Sequence, residues 1–75
     1  MTELDKKVIG NRIRELREGL EMSQPMLAEK VGVARNTVSQ YESGTCKMSI
    51  DVLVRLAVAL DISTDYLLGL KKYPE

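Results

Sequence analysis

Histidine is missing from this sequence of 75 residues, and cysteine occurs only once, at Cys46. Without histidine there is no His-based catalytic triad and no histidine general base. One cysteine cannot form an internal disulfide, and without histidine it cannot build a Cys/His zinc site. We therefore expect no catalytic residues, no metal site and no cofactor, and we expect Cys46 to be an unreactive loop residue.

Long apolar runs and an excess of charge are missing as well. No stretch approaches the ~18 apolar residues of a membrane span, and the first residues lack the apolar region of a signal peptide, so we expect a cytoplasmic protein. Eleven basic residues balance eleven acidic ones, whereas a protein that held nucleic acid by bulk charge alone would be far more basic. One positive face is still possible because basic residues concentrate early, at Lys6, Lys7, Arg12, Arg14 and Arg17.

The spacing of apolar residues predicts a first amphipathic helix. These residues recur at intervals of four, three and four, as on one helix face, at Ile9, Ile13, Leu16 and Leu20. We place the helix at about residues 3–18, with Thr2 and Asp5 as a loose capping box at its start. Gly19 is expected to end it in the left-handed conformation.

Four shorter helices follow, and serines suited to N-capping precede three of them, at Ser23, Ser49 and Ser63. Gly32 ends the second helix, and the third is predicted at 35–43, before Gly44. The core stripe of the fourth helix is Leu53, Leu56, Ala57 and Leu60. The pattern predicts one all-α domain of five helices over residues 1–75, with a core at about 5–69 and a short tail at 70–75.

The third predicted helix carries hydrogen-bonding side chains where a solvated helix usually has Glu and Lys. Val38 and Tyr41 are spaced to face the core, and the face left over holds Arg35, Asn36, Thr37, Ser39 and Gln40. Arginine pairs with guanine in the major groove, and Asn or Gln pairs with adenine. Two short helices joined at a glycine form a helix-turn-helix, whose second helix can enter that groove. Periodicity alone fits a DNA-reading face and an ordinary solvated face equally well.

Residues 23–44, SQPMLAEKVGVARNTVSQYESG, resemble the helix-turn-helix of the Cro and phage-repressor type, also called the XRE family. The flanking stretches IRELRE and LVRLAVALDISTDYLLG resemble that family's first, fourth and fifth helices, so the likeness covers residues 9–69. The resemblance implies a compact five-helix, lambda-repressor-like fold and the binding of a double-stranded DNA operator.

The resemblance also implies a role for each matching position. Base-reading positions correspond to Arg35, Asn36, Gln40, Thr37 and Ala34, and positions on the DNA backbone correspond to Ser23, Gln24, Ser39 and Lys47. Arg17 and Glu42 match positions that form an ion pair between the first and third helices. On their own residue types, Lys47 and Arg12 are equally consistent with solvated surface charges.

Ala34 departs from the family pattern, which usually has Ser or Thr at this position as the N-cap of the recognition helix. Alanine caps poorly, at a typical cost of ~1 kcal/mol. Either Asn36 or a water compensates, or the helix frays at its start. The methyl group of Ala34 is also suited to contact a thymine methyl.

A second apolar strip lies beside the core stripe of the fourth helix. Val54 and Val58 are one turn apart, and with Leu67 and Leu70 they are candidates for a two-fold dimer interface. The alternative is that the tail, with Leu70 and Tyr73, folds over the two valines. A dimer is expected at least on DNA, because one short recognition helix reads few base pairs and two copies match half-sites about 10 bp apart.

These observations predict a sequence-specific transcriptional regulator, acting as a repressor when its dimer occupies an operator. The alternative is a protein-interaction module, such as the antitoxin of a toxin–antitoxin pair, with a small protein partner and secondary DNA binding. An enzyme is disfavoured because the sequence has no histidine, no clustered carboxylate pair and no glycine-rich phosphate loop.

Overall fold

The computed structural model describes residues 5–71, and within them the chain forms five α-helices. These are α1 (Lys6–Gly19), α2 (Gln24–Val31), α3 (Arg35–Ser43), α4 (Ile50–Ala59) and α5 (Thr64–Leu67). The predicted all-α, five-helix class is confirmed. In this part of the chain, every helix is too short or too polar to cross a membrane.

Both ends of α1 differ from the prediction. Asp5 is the N-cap, with an extended backbone and a carboxylate that accepts from the Lys7 N–H at 2.9 Å, so the helix starts three residues later than expected. Thr2, the other half of the predicted capping box, lies outside the described residues. Gly19 is helical, and the left-handed residue is Glu21, with φ 58°. The Met22 N–H bonds to the Arg17 carbonyl in the manner of a Schellman motif.

Three helix starts and two helix ends follow their local signals, whereas α4 ends without a glycine and the left-handed residue after it is Asp61, with φ 55°. Ser23, Ser49 and Ser63 each accept a hydrogen bond from a backbone N–H three residues later, as N-caps do. Gly32 and Gly44 adopt left-handed conformations, with φ of 81° and 75°, which glycine reaches without a steric penalty. The predicted bounds of α3 are confirmed at both ends.

The core is formed where all five helices converge. Its fully buried side chains come from every helix and are Ile13, Leu27, Val31, Val38, Leu56 and Leu67. Leu16 and Leu53 are only partly buried, at the edge of this cluster. Leu20 was predicted to belong to the core stripe of α1, but it is exposed because it lies at the C-cap, where the helix ends.

Arg12 links α1 to α5 and is therefore more than a solvated surface charge. Its guanidinium donates to the Tyr66 carbonyl at 3.0 Å and lies over the Tyr66 ring, 4.4 Å from the ring centre. The ring face attracts a cation, and such a contact contributes about 0.5–1 kcal/mol near a surface. Arg12 thus holds the short α5 against the longest helix of the domain.

Candidate nucleic-acid interface

A tight turn connects α2 to α3 and sets the angle between them. The N–H groups of Gly32 and Val33 both bond to the Ala28 carbonyl, at 2.8 and 3.0 Å. Only Val33 and Ala34 then separate the left-handed glycine from the first residue of α3. This arrangement is a helix-turn-helix, in which the second helix projects away from the first.

One side of α3 packs against the rest of the domain. We call Val38, Tyr41 and Glu42 its inner face, and all three are buried. Gly10 of α1 lies directly against this part of α3, because a Cβ atom at position 10 would collide with the carbonyl oxygens of Tyr41 and Glu42. The backbones of α1 and α3 therefore approach more closely than any side chain at position 10 would allow.

The buried Glu42 is held by two other elements. Its Oε2 accepts from Arg17 Nε at 2.6 Å, and its Oε1 accepts from Arg17 Nη2 and from Gln24 Nε2, both at 3.1 Å. Arg17 Nη1 also donates to the Met22 carbonyl at 2.7 Å. The bond to Glu42 raises the pKa of Arg17 above its ordinary value. The ion pair predicted between α1 and α3 is present, and Gln24 extends it to the start of α2.

The opposite side of α3 has no such partners. We call Arg35, Asn36, Thr37, Ser39 and Gln40 its outer face; Thr37 is partly buried and the other four are exposed. Within residues 5–71, none of these five side chains makes a hydrogen bond or an ion pair with the protein. The donors and acceptors of the outer face are therefore available to an external ligand.

The start of α3 has no side-chain cap. Ala34 occupies the N-cap position with φ −69° and ψ 151°, and no side chain, that of Asn36 included, bonds to the first turn. Asn36 therefore does not compensate for the missing cap. The free N–H groups of the first turn are left to bond to water or to an acceptor outside the chain. The left-over N–H groups of the first turn carry partial positive charge, on the same side of the molecule as Arg35 and Asn36.

The four candidate DNA-backbone residues come from three parts of the chain. Ser23 and Gln24 lie at the start of α2, Ser39 lies on α3, and Lys47 is exposed in the segment between α3 and α4. Gln24 uses its amide nitrogen on Glu42, which leaves its carbonyl oxygen free of side-chain donors in the described part of the chain. The Ser23 hydroxyl caps Met26 N–H as an acceptor and retains its own proton.

The candidate dimer residues divide into exposed and buried ones. Val54 is 48%, Val58 76% and Leu70 69% exposed, so Leu70 does not cover the two valines; Tyr73 lies outside the described residues. Leu67 is wrong as an interface residue, because it is fully buried in the core. α5 is a single turn of four residues and Leu67 is its buried residue, so this side chain belongs to the core.

In the described residues, no group of three or more His, Cys, Asp or Glu side chains is placed to hold a metal ion. Cys46 is half-buried and packs against the core. Two structural residues were not predicted. Gly10 is one, although a glycine in mid-helix costs about 1 kcal/mol relative to alanine and so signals close packing. Thr45 is the other, and its N–H and hydroxyl both donate to the Gln40 carbonyl and fix the end of α3.

A glycine turn between two short helices, the second fixed from inside and polar outside, defines a helix-turn-helix protein. The chain belongs to the helix-turn-helix family HTH_3, whose family model matches residues 13–67. The resemblance to the XRE family is thereby confirmed.

Known proteins similar to this chain are regulators of transcription. YobD of Bacillus subtilis, an uncharacterized HTH-type transcriptional regulator, is 41% identical over 64 residues, which are 85% of this chain and 57% of YobD. The chain spans about half the length, or less, of the first curated relatives it matches.

Two solved structures bear on the type of ligand. The c2 repressor of Salmonella phage P22, solved in complex with a synthetic operator, is 36% identical with a TM-score of 0.80, over 93% of this chain and 100% of that one. SinR, solved as a SinR–SinI protein complex, is 37% identical with a TM-score of 0.78, over 85% of this chain and 63% of that one.

Proposed function

We propose that this chain binds a two-fold symmetric DNA operator as a dimer and represses transcription from it. The observation that carries the proposal is the contrast across α3. Its inner face is fixed by the bonds of Arg17 and Gln24 to Glu42, whereas the polar outer face has no partner in the described chain. A rigid helix that presents unpaired Arg, Asn and Gln side chains is suited to read base edges in the major groove.

The roles on DNA follow from position. Arg35, Asn36 and Gln40 read bases, with Thr37 and the Ala34 methyl beside them; Ser23, Gln24, Ser39 and Lys47 hold phosphates. The Gln24 carbonyl oxygen cannot bond a phosphate, so its contact uses the remaining N–H of the same amide. Operator binding also implies a cytoplasmic location. We further propose that residues 1–75 act as one domain.

A second copy of the chain is proposed to bind the ridge formed by Val54 and Val58 on α4. Val58 stands between two grooves, one lined by Ala57, Asp61 and the start of α5, the other by Lys30 and Arg55. A two-fold axis that runs beside the ridge brings each Val58 into a groove of its partner, as a symmetric interface requires.

Repression follows from occupancy. A dimer on an operator that overlaps a promoter excludes RNA polymerase sterically, and the similarity to a phage repressor solved on its operator supports this mechanism.

The proposal is tested by selection from a random double-stranded DNA pool at two salt concentrations. Wild type should recover a two-fold symmetric motif, because both copies read the same half-site. Arg35→Ala and Asn36→Ala should each lose about 1–3 kcal/mol at defined base pairs, the range of one base contact. Lys47→Ala should weaken binding to all DNA sequences alike, and it should lower the number of counterions released on binding by about one.

Arg14→Ala and Asn11→Ala are the matched controls, because both residues are exposed on α1 and the Arg14 guanidinium already donates to the Asn11 side chain. They should leave the recovered motif unchanged. Enrichment that is blind to sequence and vanishes with salt, for wild type as for the variants, would reject base reading by α3.

A protein partner is the second candidate function, favoured by the similarity to SinR in its complex with SinI. In this alternative the Val54–Val58 ridge binds a different small protein, and DNA binding is secondary. Sedimentation of the purified chain with and without operator separates the two. If wild type is a dimer on DNA and Val58→Glu is not, the ridge mediates self-association. If wild type is a monomer on DNA, the ridge is available to bind another protein.

A further inference from the structure

A cavity of about 480 Å³ is lined by residues outside the outer face of α3 and outside the ridge, and Lys47 is the one proposed DNA contact among them. The start of α1, the segment between α3 and α4, the start of α4 and the end of α5 enclose it. Its apolar lining comes from Ile9, Met48, Ile50, Leu53 and Leu68. The volume falls within the range of about 300–1,000 Å³ typical of small-molecule sites.

The apolar lining has a graded accessibility. Ile9 is buried at the base, Met48, Leu53 and Leu68 are partly buried, and Ile50 is 82% exposed at the rim. An exposed isoleucine beside a cavity leaves apolar surface in water that a ligand chain would cover. Met48 adds a flexible side chain that adapts to the shape of what enters.

The polar part of the lining is positive. Lys6 and Lys47 flank the cavity, and none of the lining residues in the described part of the chain carries a carboxylate. Within residues 5–71 neither lysine forms an ion pair, because the acidic partners of the described salt bridges are Glu18, Glu42 and Asp51. The remaining polar side chain, Ser49, already accepts from the Val52 N–H as the N-cap of α4. The charged groups at this site are therefore two lysine ammoniums.

We propose that this cavity binds a small amphipathic carboxylate, a medium-chain alkyl acid whose chain covers the apolar lining and whose anionic head lies between Lys6 and Lys47. A neutral apolar molecule would leave both ammoniums unpaired, and a cation would be repelled by them. Lysine stems are themselves apolar, so both residues can pack along the ligand chain while their charges meet the head group.

The ligand site and the DNA site share one residue. Lys47 flanks the cavity and is also a proposed phosphate contact, so a carboxylate that neutralises it competes with the DNA backbone. Linkage requires the effect to be reciprocal, with DNA weakening ligand binding by the same factor. This regulatory role rests on the proposed function, whereas ligand binding does not.

Decanoate is the probe for binding, measured without DNA by chemical-shift changes of the backbone amides. We expect saturable binding at submillimolar concentration, with the largest shifts at residues 47–53 and around Leu68. Decanol, with the same chain and no charge, should bind at least tenfold more weakly, and decylamine should not saturate. Lys6→Ala and Lys47→Ala should each reduce decanoate affinity severalfold.

Ile50→Glu and Leu20→Glu form a matched pair. Both add one acidic group at an exposed apolar position, but only residue 50 lines the cavity. Ile50→Glu should abolish decanoate binding through repulsion, and Leu20→Glu should leave it unchanged. Equal loss in both variants, equal binding of decanol, or shifts confined to the Val54–Val58 ridge would overturn the proposal.

The linkage is tested on the operator recovered by selection, with the affinity of each variant compared with and without saturating decanoate. Saturating decanoate should lower the operator affinity of wild type severalfold and should leave the operator affinity of Ile50→Glu unchanged. Saturable binding without any change in operator affinity would reject competition at Lys47 and leave the ligand site standing. Failure of operator binding itself would reject the proposed function, and would not affect the chemical-shift result.

Discussion

The two sides of α3 show how one helix of nine residues can serve stability and recognition at once. On the inner face, Glu42 accepts three side-chain hydrogen bonds, from Arg17 and Gln24. On the outer face, five polar side chains make none within the described chain. The contrast indicates that α3 is positioned by charge and packing from inside, so that its outer residues need no internal contact to hold their geometry. Substitutions on the inner face should therefore cost folding, and those on the outer face should cost binding.

Arg17→Ala should produce the largest loss of stability. It removes both Arg17 bonds to Glu42 and leaves a buried carboxylate with only Gln24 as a donor. Breaking a buried pair on one side costs about 3–5 kcal/mol, which lowers the melting temperature of a domain this size by roughly 4–8 °C per kcal/mol. Arg35→Ala, an arginine on the outer face, should change the free energy of unfolding by less than about 0.5 kcal/mol. Thermal unfolding measures both.

The double variant Arg17→Met with Glu42→Leu tests the cause. Apolar replacement of both partners is often neutral, because it removes the desolvation cost together with the attraction. The double variant should thus be more stable than Arg17→Ala. If it is equally unstable, the loss comes from the Arg17 bond to the Met22 carbonyl and not from the stranded charge of Glu42.

Gly10→Ala should follow in size. A Cβ atom there meets the backbone carbonyls of Tyr41 and Glu42, and backbone cannot swing aside as a flexible side chain can. Overpacking of this kind costs about 1–3 kcal/mol. Gly19→Ala is the control on the same helix, since nothing lies within 4 Å of its Cβ position. It should stabilise by about 0.4–1 kcal/mol, as alanine does at a helical site. If urea unfolding showed that both substitutions change the free energy of unfolding in the same direction, the result would contradict the close approach of α1 to α3.

Ala34→Ser should stabilise the start of α3. The backbone of Ala34 (φ −69°, ψ 151°) is close to that of Ser49 (φ −72°, ψ 160°), which already caps α4. A serine hydroxyl at position 34 can therefore accept from the first turn without backbone movement. The gain should be about 1 kcal/mol in the free energy of unfolding. Ala34→Gly is the comparison, because it offers no acceptor, and equal stability of the two variants would show that the first turn gains nothing from a cap.

The starts of α2, α4 and α5 and the ends of α2 and α3 could be predicted because their signals are local, whereas α4 ends before Asp61, a non-glycine residue in the left-handed conformation. Each serine cap acts on an N–H three residues away, and each of Gly32 and Gly44 sits where the backbone must turn left-handed. The end of α1 could not be predicted in this way. Gly19 carries the usual signal, but the buried Met22 and the Arg17 bond to its carbonyl hold the chain two residues further on, and Glu21 takes the left-handed conformation.

The candidate site likewise has one part that local sequence signals predict and another part that they do not. The outer face could be predicted from residue types and helical spacing, because exposure of one face follows from burial of the other. Leu67 and Ile50 could not be told apart by sequence as buried and exposed, since that difference depends on how a single turn of α5 and the start of α4 meet the core. The cavity lined by Ile50 and Leu68 is likewise a product of tertiary packing, and no local pattern encodes it.

Tyr41→Phe should give the smallest effect, visible only at high pH. Burial, followed by the charge of Cys46, raises the pKa of Tyr41 above its ordinary value of 10.0. As pH rises, the unfolded chain therefore loses the Tyr41 proton before the folded one does, and the contribution to stability that is full below pH 10 declines above it. Phenylalanine has no proton to lose. The difference in unfolding free energy between wild type and Tyr41→Phe should be constant up to that pH and then change in favour of the variant.

Cys46→Ser should make this change with pH smaller, because it removes the second cause of the raised Tyr41 pKa. A difference that stays constant through high pH would mean that Tyr41 titrates alike in both states, and that the inner face of α3 is wetter at this position than its burial indicates.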